Sequence, residues 1–334
     1  MYNKAIYYPY IDLPKGPWLT RMLLYWDQIG TIAPFDPRNE RSFDKYSSDL
    51  IESELLLKIS PDAYTCKIPR FKEAFLDLID KDPYLKKNVS LGSYNTTRIH
   101  IGKMGDGLDG ELADRGLASE AKYPWYRVES HTANLFMAYL ASTLGILDDL
   151  KMEPLTDSKR WFSIYSENDL PKQDVNLNGY REGIFKSIFP VPSGLIPIKE
   201  LLEFKRKYGE QLIKFRMEVE FAVTDIVSAQ TPQLAKRKES YYIQKFESQV
   251  IEIKAHMEER FWPPLVMTSL LAYVPMINAI YIQDPKQMLL SISPLVAAIY
   301  GAYIISNDKR KQILSAPAAY AAIVQKSFHT PKGK

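Results

Sequence analysis

A single cysteine, Cys66, in 334 residues excludes an internal disulfide and any zinc cluster built on paired thiolates. That economy fits a protein made in a reducing compartment. Histidine is nearly as scarce: His100, His131, His256 and His329 have no ligand-like spacing, so no metal is expected. Charge of one sign is missing too, because 43 Lys and Arg against 40 Asp and Glu leave only +3. Phosphate recognition needs a concentrated basic face, so nucleic acid is not a favoured partner.

Familiar motifs are also lacking. The run GKMGDGLDGELADRG (102–116) has neither the Gly-Lys-Ser/Thr of a phosphate loop nor the glycine spacing of a dinucleotide fingerprint. It fails as a calcium loop, because Asp106, Asp109 and Glu111 do not alternate as ligands and no terminal bidentate Glu follows. A helix with Asp109 as its cap and Glu111 in its first turn is the expectation there. No Gly-X-Ser-X-Gly elbow occurs. No cofactor is implied. The opening MYNKAIYYPYIDLPKG lacks a basic region, apolar run and small-residue cleavage site, so a cytoplasmic location is expected.

What is present divides the chain near residue 195. With 46% hydrophobic and 25% charged residues the composition is globular, and the length suits two domains. In 1–195, KAIYYP reads as a strand, GPWLTRMLLYWDQI as a helix with Pro17 in its first turn, and GTIAPFD as a second extended run. Strand, helix, strand predicts a parallel βαβ unit. Further strands are expected at TTRIHIG (96–102), RWFSIYS (160–166) and GIFKSIFPV (183–191). Leu135, Tyr139, Leu140 and Leu144 mark a helix between them. The fold class read from this half is α/β with a partly parallel sheet.

Residues 196–334 read as all-α. Leu201, Phe204, Tyr208, Leu212, Phe215, Val219, Ala222 and Ile226 recur every three or four positions, predicting one long amphipathic helix over 198–227. A turn at Pro232 precedes a second pattern at Tyr242, Phe246, Val250, Ile253 and Met257. The pair makes a helical hairpin, either a coiled-coil arm for a partner or second copy, or part of a plain bundle. Beyond it, two runs carry no charge: FWPPLVMTSLLAYVPMINAIYIQ and QMLLSISPLVAAIYGAYIISN. Each reaches the roughly 20 residues a membrane span needs, and Trp262, Tyr303 and the basic DKRK suit an interface. Pro275, Asn278 and Pro294 suit a buried bundle equally. Membrane contact through Phe261 to Ile305, with association to an inner membrane, and a covered core both stand as readings.

If the N-terminal sheet is parallel, ligands should bind outside its strands' carboxyl ends. Three apolar runs end in polar residues there. One delivers Tyr8 and Asp12, the second Asp36 and Arg38, and the third His100, Lys103 and Asp106. The acids and His100 are the candidate catalytic groups, with His100 as general base; Tyr8, Arg38 and Lys103 are the candidate ligand-binding groups, the two cations suiting an anion. His100 also sits in an apolar alternation that suits a hydrogen-bonded core histidine. One cleft shared by Asp12, Asp36 and His100 is expected.

The stretches YYPYIDLPKGPWLTRMLLYWDQIGTIAPFD and GLIPIKELLEFKRKYGEQLIKFR resemble a family of uncharacterised bacterial proteins that open on a Tyr-Tyr-Pro motif and a Leu-Tyr-Trp-Asp helix. That resemblance implies a bacterial accessory protein of the kind found with mobile elements and phage-defence loci, and assigns no catalytic residue. Two functions are carried forward. One is a non-enzymatic sensor or effector whose α/β half recognises a cue while its helical half engages a partner or membrane. The alternative is an enzyme acting on an anionic small molecule or nucleotide at the strand ends.

Overall fold

The computed structural model describes residues 3–35, 43–82, 84–87, 95–105, 107–157, 172–189, 195–257 and 315–328. The chain forms two compact units, Met1–Gly179 with Leu195–Ile198, and Tyr180–Gly194 with Lys199–Lys334. By that division a short strap of the linker, Leu195–Ile198, belongs with the first unit. Tyr46 holds that strap by donating its hydroxyl to the Ile196 carbonyl at 3.1 Å.

The first unit is built on β1 (Lys4–Tyr7), α1 (Pro17–Tyr25), β2 (Gln28–Ile32), α2 (Lys45–Glu52) and β3 (Leu56–Ile59), followed by α3 (Asp62–Thr65) and α4 (Phe71–Lys81). Pro17 starts α1, as its locked φ and missing N–H favour. Asp44 starts α2, its carboxylate accepting the N–H groups of Tyr46 and Ser47 at 3.0 and 3.3 Å. Next come β4 (Thr96–His100), α5 (Ile101–Met104), α6 (Leu108–Asp114), β5 (Ala118–Glu120), β6 (Trp125–Glu129), α7 (Ser130–Gly145) and β7 (Met152–Leu155).

Four strands form one parallel sheet in the order β3-β2-β1-β7. Its register, Ile6 beside Gly30 and Tyr7 beside Thr31, assigns alternate residues to opposite faces. On one face Ile6, Tyr8, Ile32 and Ile59 join a core with Phe71, Phe75, Phe136 and Tyr139 of α4 and α7. Aromatic rings make that core, Phe75 lying 5.2 Å from Phe136 and 5.4 Å from Tyr139. On the other, Tyr7 lies against Trp18 of α1 at 5.4 Å.

The expected strand at 96–102 exists, but it belongs elsewhere. β4 lies in a separate antiparallel sheet, order β4-β6-β5, and α7 packs against both sheets. Glu129 begins α7, its carboxylate accepting the N–H groups of His131 and Thr132. Asp109 is no cap: Gly107 precedes α6, and Asp109 and Glu111 both sit in its first turn, where acids complement the helix dipole.

In the second unit the strand expected at 183–191 is corrected to helix over 183–188. Residues 183–188 close α8 (Lys172–Ile188), because Ile184, Phe185 and Ile188 recur at helical spacing and are buried together. A short apolar run satisfies both templates, and here the longer period decides. The single helix predicted over 198–227 is two, α9 (Ile198–Lys207) and α10 (Gly209–Val227), broken at Tyr208. α11 (Pro232–Met257) carries the second pattern. α12 (Ala319–Phe328) packs on both α10 and α11, its Tyr320 ring 5.8 Å from Phe215 and 5.7 Å from Phe204. The hairpin's inner face is therefore bundle core. Residues 258–314, which hold both uncharged runs, and the segment 160–166 lie outside the described residues. Among the described residues no helix is long and apolar enough to cross a membrane.

One acid inside α11 ties stability to pH. Burial pushes the Glu252 carboxyl up to about 7. The folded chain then holds this proton where the unfolded chain, titrating near about 4.3, has released it. Stability from this group is therefore greatest at low pH and declines as pH rises from about 4.3 through 7. Glu252→Gln is expected to flatten that slope and to raise stability at pH 8 by about 1 kcal/mol, reduced from the full shift by solvent screening. Urea midpoints at pH 5 and pH 8 for both proteins measure it.

Candidate functional site

A parallel sheet opens a crevice where its crossovers diverge. From β1 the chain crosses to β2 and on to β3 on one side, while β7 pairs with β1 on the other. The switch point lies between the carboxyl ends of β1 and β7, which is also where two distant segments meet. Tyr7, the last residue of β1, donates its hydroxyl to Asp157 Oδ1 at 3.0 Å. Asp157 stands two residues past β7, on the same face as Leu155 and Tyr7 by strand alternation.

Several groups bear on that phenol. Burial first, then the Asp157 carboxylate and its hydrogen bond, then Tyr10 and Asp12, push Tyr7 well above its ordinary value. Each acts in the same direction. The phenol stays protonated and serves as a donor, not as a base. The loop after β1 is itself pinned, since Thr31 Oγ1 donates to the Ile11 carbonyl at 2.5 Å and the Tyr8 N–H donates to the Leu155 carbonyl at 3.0 Å. The β7 side is held as well: the Asn178 amide donates to the Pro154 carbonyl. On the neighbouring strand ends, Ser60 Oγ accepts the Phe35 N–H at 3.1 Å and donates to Asp62 at 2.8 Å.

Of the residues expected at the site, Asp12 is placed there, exposed beside β1 and close enough to act on Tyr7. Tyr8 is not. It is 2% exposed and turns to the opposite face, into the core with Ile6 and Phe136. His100 ends a strand of the antiparallel sheet, and the turn it caps at Gly102 lies against Pro34, two residues past the end of β2. Its Nδ1 accepts the Gly102 N–H at 3.1 Å and its ring meets Trp125 edge-on at 5.2 Å, the hydrogen-bonded core role. Lys103 is buried, its Nζ 4.0 Å from Met137 Sδ, and does not offer an exposed cation. Asp36, Arg38 and Asp106 lie outside the described residues.

Tyr7, Trp18 and Asp157 were not singled out by sequence reasoning. For Asp157 the only signal is the short run MEPLTD, and a proline at its centre argues against a strand unless the strand is at an edge. β7 is such an edge. A second polar pair was also hidden by sequence distance: His131 Nε2 meets the buried Asp82 at 2.9 Å, and Asp82 also accepts the N–H groups of Tyr84 and Leu85. It staples the end of α4 to the start of α7.

Among the described residues no group of three or more His, Cys, Asp or Glu side chains could hold a metal ion. No family model matches the chain, and no curated protein or solved structure matches it either.

Proposed function

We propose that the protein is a sensor or effector whose α/β unit binds a polar small molecule in the crevice between the ends of β1 and β7, and whose helical unit engages a partner. The observation that carries this reading is the Tyr7–Asp157 hydrogen bond at the switch point, with Asp12 bearing on the same phenol. A donor phenol and two carboxylates suit recognition. Proton transfer would call for a group near neutrality, and the one histidine expected there is spent on a helix cap. The carboxylates also turn preference from bare anions to ligands that bring their own donors. The resemblance to bacterial accessory proteins supports a role in stress or phage defence, with a second protein or copy meeting the helical bundle.

The test is thermal stabilisation of the full chain by four probes: adenosine, glucose, butylamine and inorganic phosphate. At a hundredfold excess over its dissociation constant, a ligand stabilises the folded state by about 2.7 kcal/mol. A probe that raises Tm in the natural protein should do so far less in Asp157→Asn. If no probe raises Tm, or the rise survives Asp157→Asn undiminished, the crevice reading is wrong.

A further inference from the structure

We infer that the partner of the helical unit is a second copy of this chain, docked antiparallel on the outer face of α10, an inference that rests on the partner reading above. On the inner face Phe215, Val219 and Ala222 are fully buried, whereas Ile213, Met217 and Phe221 stay 58%, 59% and 64% exposed. These three lie four residues apart, so they stand one above the next as a single apolar ridge about 12 Å long. Scattered exposed apolar residues are ordinary on a protein surface. A contiguous row of large ones marks an interaction site.

The symmetry of the ridge selects its occupant. A ridge of i±4 spacing interdigitates with another of its kind when two helices cross at about 50°. With Met217 at its middle and an apolar residue at each end, this one matches itself when reversed. A two-fold axis through Met217 sets Ile213 of each copy against Phe221 of the other, and Met217 against Met217. The rim agrees. Glu218 is paired with Lys245 at 2.5 Å and Asp225 with Lys238 at 2.7 Å on one flank, and Glu220 with Arg181 at 2.7 Å on the other. Each flanking acid is thus neutralised within its own chain and does not repel the copy. In the same register the exposed Lys214 comes alongside the copy's Glu218, and the exposed Glu210 faces Thr224. A membrane surface fits less well, because acids border the ridge where an interfacial helix carries Lys and Arg. One ridge falls short of the roughly 800 Å² that each partner buries in a standard interface, so the dimer is one that forms with rising concentration.

The experiment is sedimentation equilibrium of the full chain over a wide range of concentrations. The mean mass is expected to climb from 38.4 kDa toward twice that value. Met217→Glu and Met217→Lys each set like charges across the axis and are expected to stay monomeric, while an equal mixture of the two is expected to associate about tenfold more tightly than either alone. That rescue requires Met217 to face Met217. Phe221→Ser removes an anchor without adding charge, and is expected to weaken association about tenfold while leaving the melting temperature of the dilute protein unchanged; it decides the matter should the charged variants not fold. A fall of several degrees in dilute Phe221→Ser would mean that the ridge is covered within the chain, and overturns the inference. So does a monomer at every concentration, or association that survives all the substitutions. Binding of a monomeric chain to phosphatidylglycerol vesicles, lost in Phe221→Ser, gives the ridge to lipid and overturns the second copy. Capture of a different protein from a cell lysate by a monomeric chain, lost in Phe221→Ser, overturns the second copy but leaves the partner reading standing. A monomer that binds neither overturns both.

Discussion

Replacing Gly145 by alanine is expected to destabilise the first unit by about 3 kcal/mol, the upper part of the usual range for forcing volume into a packed core. Gly145 is the last residue of α7, and a Cβ placed there would overlap the Met152 carbonyl oxygen on the following strand. The obstacle is backbone. It cannot swing aside as a side chain would, so either α7 or β7 must move. β7 is an edge strand and carries Asp157 beyond its end, so the strain is passed toward the crevice. A shift in Tm of about 6 to 12 °C follows from the usual scaling for a domain of this size. Ile146→Ala is the internal control. That side chain is 68% exposed and its truncation should stay within about 0.5 kcal/mol. Equal melting of Gly145→Ala and the natural protein would show that the α7–β7 approach is looser than described.

The second large effect lies in the helical unit. Arg181 donates from Nε and from a terminal nitrogen to the two oxygens of Glu220, both at 2.7 Å, and its side chain is 2% exposed against 20% for Glu220. The pair is bidentate and the cation is its more deeply buried member. Glu220→Ala is therefore expected to cost about 3 to 5 kcal/mol, because it takes the bidentate carboxylate away from a buried guanidinium. The double change Arg181→Met with Glu220→Leu should cost less than Glu220→Ala alone, since it withdraws the charge together with its partner. Urea unfolding of the natural protein, Arg181→Met, Glu220→Leu and the double variant gives the coupling directly. Additive losses would mean that the pair contributes no interaction of its own.

These elements differ in how plainly the chain announces them. The β1-α1-β2 unit is readable because an aromatic strand, a proline at a helix start and a second extended run follow one another without interruption. α7, α10 and α11 are readable because their apolar residues hold the helical period over many turns. The break at Tyr208 is not, because the apolar spacing runs on through it from Phe204 to Leu212. Residues 183–188 satisfy strand and helix templates alike, and only burial of Ile184, Phe185 and Ile188 on one helical face separates them.

The site was harder to read than the fold. Asp12 could be found because it follows a recognisable strand. Asp157, the partner of Tyr7, could not, since it follows a four-residue edge strand with Pro154 inside and lies 150 positions from Tyr7. His100 attracted attention as a titratable group at a strand end, but pairing direction decides which sheet a strand joins. β4 pairs antiparallel with β6, so His100 reaches the end of β2 from a second sheet and not as a strand end of the parallel one. Trp18 looks in sequence like any apolar residue of α1. Its place against the Tyr7 ring is a fact of packing alone.

The central claim is that the switch point between β1 and β7 is where this protein meets a ligand. Backbone amide NMR of the full chain during titration with adenosine tests it most directly. Shifts concentrated at Tyr7 to Asp12 and at Leu155 to Asp157 are the predicted result. Shifts gathered around His100 and Lys103, or in α10 to α12, with Tyr7 and Asp157 unmoved, would contradict it.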